Sequence, residues 1–150
     1  MAVPTFAGLM QAMRLESATA RAERTIRYAR SMAIRNRQQT VICPAETDTL
    51  CRVNNNWSGN WLVYIEQNGD PGLQDGDQLL RLIPGGRHVK IEFNRGAKIL
   101  TNSKGRLAMN GSLRFCINNR TSSQQIHSAR LVMIHSGRLR LERENVACPG

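Results

Sequence analysis

Near the C-terminus a single residue separates Arg138 from Arg140. On an extended strand, residues two apart share a face at a spacing of about 6.8 Å. These two guanidinium groups therefore project together, while Leu139 and Leu141 project the other way. A guanidinium is planar and donates in a fork that fits phosphate. Two of them at this pitch can hold neighbouring phosphates of one nucleic-acid strand. Gly137 precedes the pair and allows a tight turn that presents it. Arg143 is close by but carries the opposite parity, and Glu142 and Glu144 offset part of the charge. Lys98, Lys104 and Arg106 lie in one Gly-containing stretch, and Arg114 and Arg120 flank another strand, so these residues are candidates to extend the footprint. An exposed strand end solvated by its own arginines would read the same way, and the pattern alone leaves both readings open.

Other chemistry is poorly supported. Glu66, Asn68, Asp70 and Asp77 fall on the spacing of a calcium-binding loop. However, Pro71 stands where such a loop needs Gly, its first position is Glu, and a strand precedes it rather than a helix. A polar hairpin loop fits better, and no metal or cofactor is expected. His88, His127 and His135 have no paired ligand or nucleophile at a useful spacing, and no catalytic constellation emerges, so the chain does not read as an enzyme. Trp57 and Trp61 read as packing residues. With aromatics at 5%, a base-stacking single-strand binder is disfavoured, and double-stranded DNA is the more natural nucleic-acid partner.

The charge is unevenly placed. The chain of 150 residues carries a net charge of +10, with 18 Arg against 3 Lys. Residues 1–42 contribute +5, residues 43–86 contribute −4 and residues 87–150 contribute +9. A uniformly solubilised surface would not show an acidic middle, so the basic C-terminal half is expected to face an anionic partner. The length fits a single domain, 1–150, able to bury a sizeable core. No stretch approaches the ~20 apolar residues of a membrane span, and no signal peptide is visible.

Four cysteines, Cys43, Cys51, Cys116 and Cys148, allow three pairings. Cys43–Cys51 with Cys116–Cys148 is the most economical, since the second bridge would pin the C-terminal tail. The even count and the terminal position favour an oxidising compartment; four reduced thiols in a cytosolic protein remain the alternative.

The elements that must position these residues follow from periodicity. Residues 5–37 read as one long helix within an N-terminal segment, 1–39. Leu15, Ala18, Ala22, Ile26, Ala29 and Ala33 form a stripe of period close to 3.6. Its alanines permit close approach to a sheet, while Arg14, Arg21, Arg24 and Arg35 lie off it. Phe6, Leu9, Met10 and Met13 extend an apolar surface below the stripe, like the lower end of a longer helix. Segment 40–150 is β-rich. Strands are expected at 40–43, ended by Pro44, and at 61–65, 79–83, 89–93, 113–117, 131–135 and 138–143. No internal repeat or low-complexity segment is evident. One helix followed by antiparallel strands is an α+β arrangement.

In this order the motifs resemble the FimT/GspH family of type IV minor pilins and type II secretion pseudopilins. The match is carried by Ala2-Val3-Pro4-Thr5-Phe6, Tyr28–Asn36, Val41-Ile42-Cys43-Pro44, Trp57, Trp61–Tyr64, Asn68-Gly69-Asp70, Gly76-Asp77, Asn110–Cys116 and Ser136–Arg140. Met32 stands where the family commonly has Glu. The family's leader and hydrophobic half-helix are missing, so the chain reads as a soluble domain truncated before its membrane half-helix. The resemblance implies a long helix packed on a β-sandwich-like globular part. It also implies export through the inner membrane, followed by assembly with other minor and major pilins through the N-terminal helix. FimT-like members carry a C-terminal G-R-x-R motif implicated in DNA uptake during natural transformation, and Gly137-Arg138-Leu139-Arg140 is similar to it. GspH-like members imply instead a structural subunit of a secretion pseudopilus, or one that primes pilus assembly.

Overall fold

The computed structural model describes residues 6–67, 77–86, 88–117 and 128–144. Helix α1 spans Phe6–Asn36. All six residues of the expected stripe are buried, from Leu15 at 8% exposure to Ile26, Ala29 and Ala33 at 0%. Thr19 and Thr25 also face inward, and each returns its hydroxyl proton to a helix carbonyl, those of Glu16 and Arg21. The helix ends in a Schellman-type cap. Arg37 takes a left-handed φ of 54°, and the Gln38 amide donates back to the Ala33 carbonyl at 3.2 Å.

Nine strands follow: β1 Thr40–Thr47, β2 Leu50–Cys51, β3 Trp61–Ile65, β4 Gln78–Ile83, β5 Val89–Phe93, β6 Ile99–Thr101, β7 Gly111–Ile117, β8 Ser128–Met133 and β9 Leu139–Glu144. They form two antiparallel sheets. The first has the order β2-β1-β3-β4, with β6 also paired to β1, and the second has the order β5-β7-β8-β9. The helix lies against β1, β3, β5, β6, β7 and β8. Its stripe therefore shares one core with Ile42, Trp61 and Val63 of the first sheet and Ile91, Phe115 and Leu131 of the second.

The strand expected to stop at Pro44 continues to Thr47. Pro44 sits between the stretch of β1 paired to β6, residues 40–42, and the stretch paired to β2, residues 45–47. Its carbonyl accepts from the Arg52 amide at 2.7 Å, so its missing N–H lies on that same side, in the gap between the two partners. The pairing with β3 loses nothing. Two short strands, β2 and β6, and the early start of β8 at Ser128 also depart from the sequence reading. Each is held by register with a longer neighbour rather than by its own pattern.

Cys43 and Cys51 are joined by a disulfide across the β1–β2 hairpin, with Cα atoms 5.7 Å apart. Cys116 is also disulfide-bonded; Cys148, its expected partner, lies outside the described residues, as do Asn68, Asp70, Arg120 and His127. Trp57 is fully buried, edge-on to Trp61 and Phe93 at 5.1 and 5.5 Å between ring centres. Both indoles donate to backbone carbonyls, Trp57 to Gly96 and Trp61 to Trp57. The tryptophans are packing residues, as read from the sequence. Among the described residues no helix is long and apolar enough to cross a membrane.

Candidate nucleic-acid interface

Arg138 follows a tight turn. The Gly137 amide donates to the Ile134 carbonyl at 2.7 Å, and the Ile134 amide donates to the Arg138 carbonyl at 3.0 Å. Gly137 has φ +96°. This is the three-residue hairpin loop in which the third residue takes the left-handed conformation. The same geometry recurs at residues 102–106. There the Gly105 amide donates to the Asn102 carbonyl and the Asn102 amide to the Arg106 carbonyl, each at 2.9 Å, and Gly105 has φ +80°. The Asn102 side chain completes that turn by accepting from the Lys104 and Arg106 amides at 3.0 Å. Each glycine is followed by Arg and then Leu, as Gly105-Arg106-Leu107 and Gly137-Arg138-Leu139.

The two turns are neighbours. The Leu107 amide donates to the His135 carbonyl at 3.0 Å, and Leu107 and Leu139 both enter the core. Lys104, Arg106 and Arg138 are exposed and form no ion pair among the described residues. No acidic residue occurs in 94–117 or in 131–141, so nothing in either turn segment offsets their charge.

The remaining candidates lie elsewhere. Arg140 is exposed on the outer face of the second sheet, where its guanidinium meets Glu142 Oε1 at 2.9 Å. Arg130, opposite Glu142 in the β8–β9 register, holds Oε2 at 2.8 Å. The hydrogen bond from Arg130 lowers the Glu142 carboxyl most; burial pushes it the other way, and the charges of Arg130 and Arg140 add to the lowering, so that it titrates below its ordinary value. Arg114 shares this face in a cross-strand row Glu92–Arg114–Arg130–Glu142. Arg143 has the opposite parity, as expected, and is paired with Glu16 of the helix. Lys98 is half-buried at the start of β6, the end away from the Lys104 turn.

Thus the structure brings Gly137 and Arg138 together with Lys104 and Arg106. It places Arg114 and Arg140 on an adjoining sheet face and sets Lys98 and Arg143 apart. Sequence reading missed Arg30. From the helix, its Nε donates to the Gly105 carbonyl at 2.7 Å and one terminal nitrogen donates to the Gly137 carbonyl at 3.0 Å. The recurrence of Gly-Arg-Leu was the available signal, but three residues are too short to register as a repeat.

A long helix laid across two antiparallel sheets, with a disulfide-closed hairpin on the first, is a pilin-like fold. The chain belongs to the GspH family, whose profile, described as type II transport protein GspH, matches residues 18–137. The matched span stops at Gly137, so Arg138 and Arg140 lie just beyond it. Among solved structures the chain is similar to the type IV minor pilin FimU of Pseudomonas aeruginosa. One crystal form gives 19% identity and a TM-score of 0.66 over 89% of this chain and 92% of that one. A second crystal form gives 20% identity and a TM-score of 0.62 over 85% and 92%. At these identities the likeness establishes the fold. No curated protein sequence matches the chain.

Proposed function

We propose that the chain is a minor pilin of a type IV pilus that binds extracellular double-stranded DNA through its backbone phosphates, for uptake in natural transformation. The observation that carries this reading is the paired-turn surface: three exposed cations, Lys104, Arg106 and Arg138, without an ionic partner among the described residues and in segments free of acids. Phosphate contacts position DNA without reading its sequence, so binding is largely sequence-independent. The protein would be anchored in the inner membrane facing the periplasm before assembly, and displayed on the extracellular pilus after it. The disulfides fit that route. Other pilins would pack on the helix, where Phe6, Leu9 and Met13 are 79%, 53% and 57% exposed. That same exposed face favours a second reading, a structural GspH-like pseudopilin or assembly-priming subunit with no DNA partner.

Titration of labelled duplex DNA at several salt concentrations separates the two. For the three phosphate contacts these cations can make, the log–log salt slope is about −2.7. Replacing Arg106 and Arg138 together with Gln should remove most binding and flatten the slope by about 1.8 units, with the fold intact because exposed charges contribute little to stability. Arg24→Gln, on the exposed side of the helix, should change little. Absence of salt-sensitive binding by the parent protein would decide for the structural reading.

A further inference from the structure

The twin turns do not stand on their own. Their direct backbone link is the Leu107–His135 hydrogen bond, and the element that spans both is the guanidinium of Arg30. It donates to the Gly105 carbonyl with Nε and to the Gly137 carbonyl with a terminal nitrogen. It also occupies the space a side chain would need at position 137, since a Cβ there would lie 2.3 Å from the guanidinium carbon. At Gly105 the corresponding Cβ would lie 2.7 Å from Cδ1 of Ile34, one helical turn further along. Position 137 is therefore held to glycine twice, by its φ and by the arginine that fills its open side. The two bonds come from one rigid planar group, so they fix the separation of the two carbonyls and of the cations that follow them, Arg106 and Arg138.

Resting on the DNA-binding reading above, the geometry points to Arg30 as a positioning residue. It makes the two turns one composite phosphate-binding surface, to which Lys104 and Arg106 contribute jointly with Arg138, and it couples that surface to helix α1. Arg30 does not contact the DNA. It is half-buried and its donors are directed at protein carbonyls. What it supplies is a fixed spacing, so that cations from two loops meet phosphates of one duplex at the same time rather than each paying separately for being ordered.

The test uses the protein with Arg30→Lys and Arg30→Met. Lysine keeps the charge but is a single point donor and cannot hold both carbonyls in a fork. The salt slope of Arg30→Lys should flatten by about 0.9, as one contact drops out of register, and duplex affinity should fall about three- to tenfold. Arg30→Met should fall further. In the parent, the Lys104→Gln/Arg106→Gln pair and Arg138→Gln should be coupled, and in Arg30→Met their effects should become additive. A purely structural role would lower the melting temperature and leave slope and coupling unchanged. Ile26→Val, which weakens the helix core away from both turns, is the control for loss of stability alone. Arg30→Lys that binds with the parent's affinity and slope overturns the positioning role while DNA binding stands. A parent that binds no duplex DNA overturns both. Should Arg30→Met fail to fold, Arg30→Lys decides.

Discussion

The two sheets of this molecule are buried in different ways. In the first, β3 is buried at every position, because both faces are covered. Trp61 and Val63 join the helix core, while Leu62 and Tyr64 join a second apolar cluster with Val41, Cys43 and Ala45. In the second sheet the outer face is covered only in part, at Cys116 and Ser128. Strand β5 alternates between buried and more exposed positions, and the outer row carries Glu92, Arg114, Arg130 and Glu142. A sheet buried on both faces has no room for charge. A face covered only in part has room for charge at its remaining positions. The charged candidates Arg114 and Arg140 therefore lie on the second sheet, and Arg138 lies on the turn that feeds its edge strand.

The largest expected effect tests this asymmetry directly. Leu62→Ala, at a fully buried position on the second face of the first sheet, should cost about 2–5 kcal/mol. Leu141→Ala, partly buried on the edge strand β9, should cost clearly less. Chemical denaturation of both variants reads the difference, and equal losses would mean that the two sheets are not buried so differently after all. A step smaller is removal of the Cys43–Cys51 bridge. Its partners are eight residues apart, and loop-closure entropy puts the stabilisation at about 2.5 kcal/mol. The double Ser variant should melt earlier, yet bind duplex DNA as the parent does, because the bridge touches neither glycine turn. A loss of affinity in proportion to stability would instead tie the first sheet to the binding surface.

The same contrast explains what the sequence showed. The helix stripe was readable residue by residue, because a 31-residue helix repeats its period many times and each repeat faces one core. The continuous run Trp61–Ile65 and the alternation in Val89–Phe93 were readable for the same reason. The outward face of Arg140, between the inward Leu139 and Leu141, followed from parity, and so did the separation of Arg143; Arg138, read as part of the same strand, instead closes the turn before β9. Strand β6 was not readable, because its three residues exist through pairing with β1. Continuation of β1 through Pro44 depended on which neighbours flank it. The joining of the Lys104 turn to the Arg138 turn was beyond local pattern altogether. The two meet through the Leu107–His135 hydrogen bond, and both are bonded by Arg30, 75 residues from Gly105 and 107 from Gly137; no period or spacing encodes such contacts.

The smallest expected effect concerns Glu142, where the partly covered outer face restrains its own charge. Arg130 and Arg140 each hold one oxygen of its carboxylate, at 2.8 and 2.9 Å. Because these contacts favour the ionised form, the carboxyl titrates below the ordinary value of 4.5. The stability it contributes is therefore complete above that value and is lost as pH falls through the lower folded-state value. Melting temperature followed downward from pH 5 should fall less steeply for Glu142→Gln than for the parent. The same substitution frees Arg140 on the face it shares with Arg114, beside the exposed Arg138. In the DNA-binding reading, duplex affinity then rises at neutral pH and the salt slope steepens by up to about 0.9, the value of one added phosphate contact. A fall in affinity would reverse the assignment. Glu142 would then be ordering Arg140 for phosphate rather than withholding it, and Glu142→Asp, which keeps the charge but shortens the reach, would fall between the parent and the Gln variant.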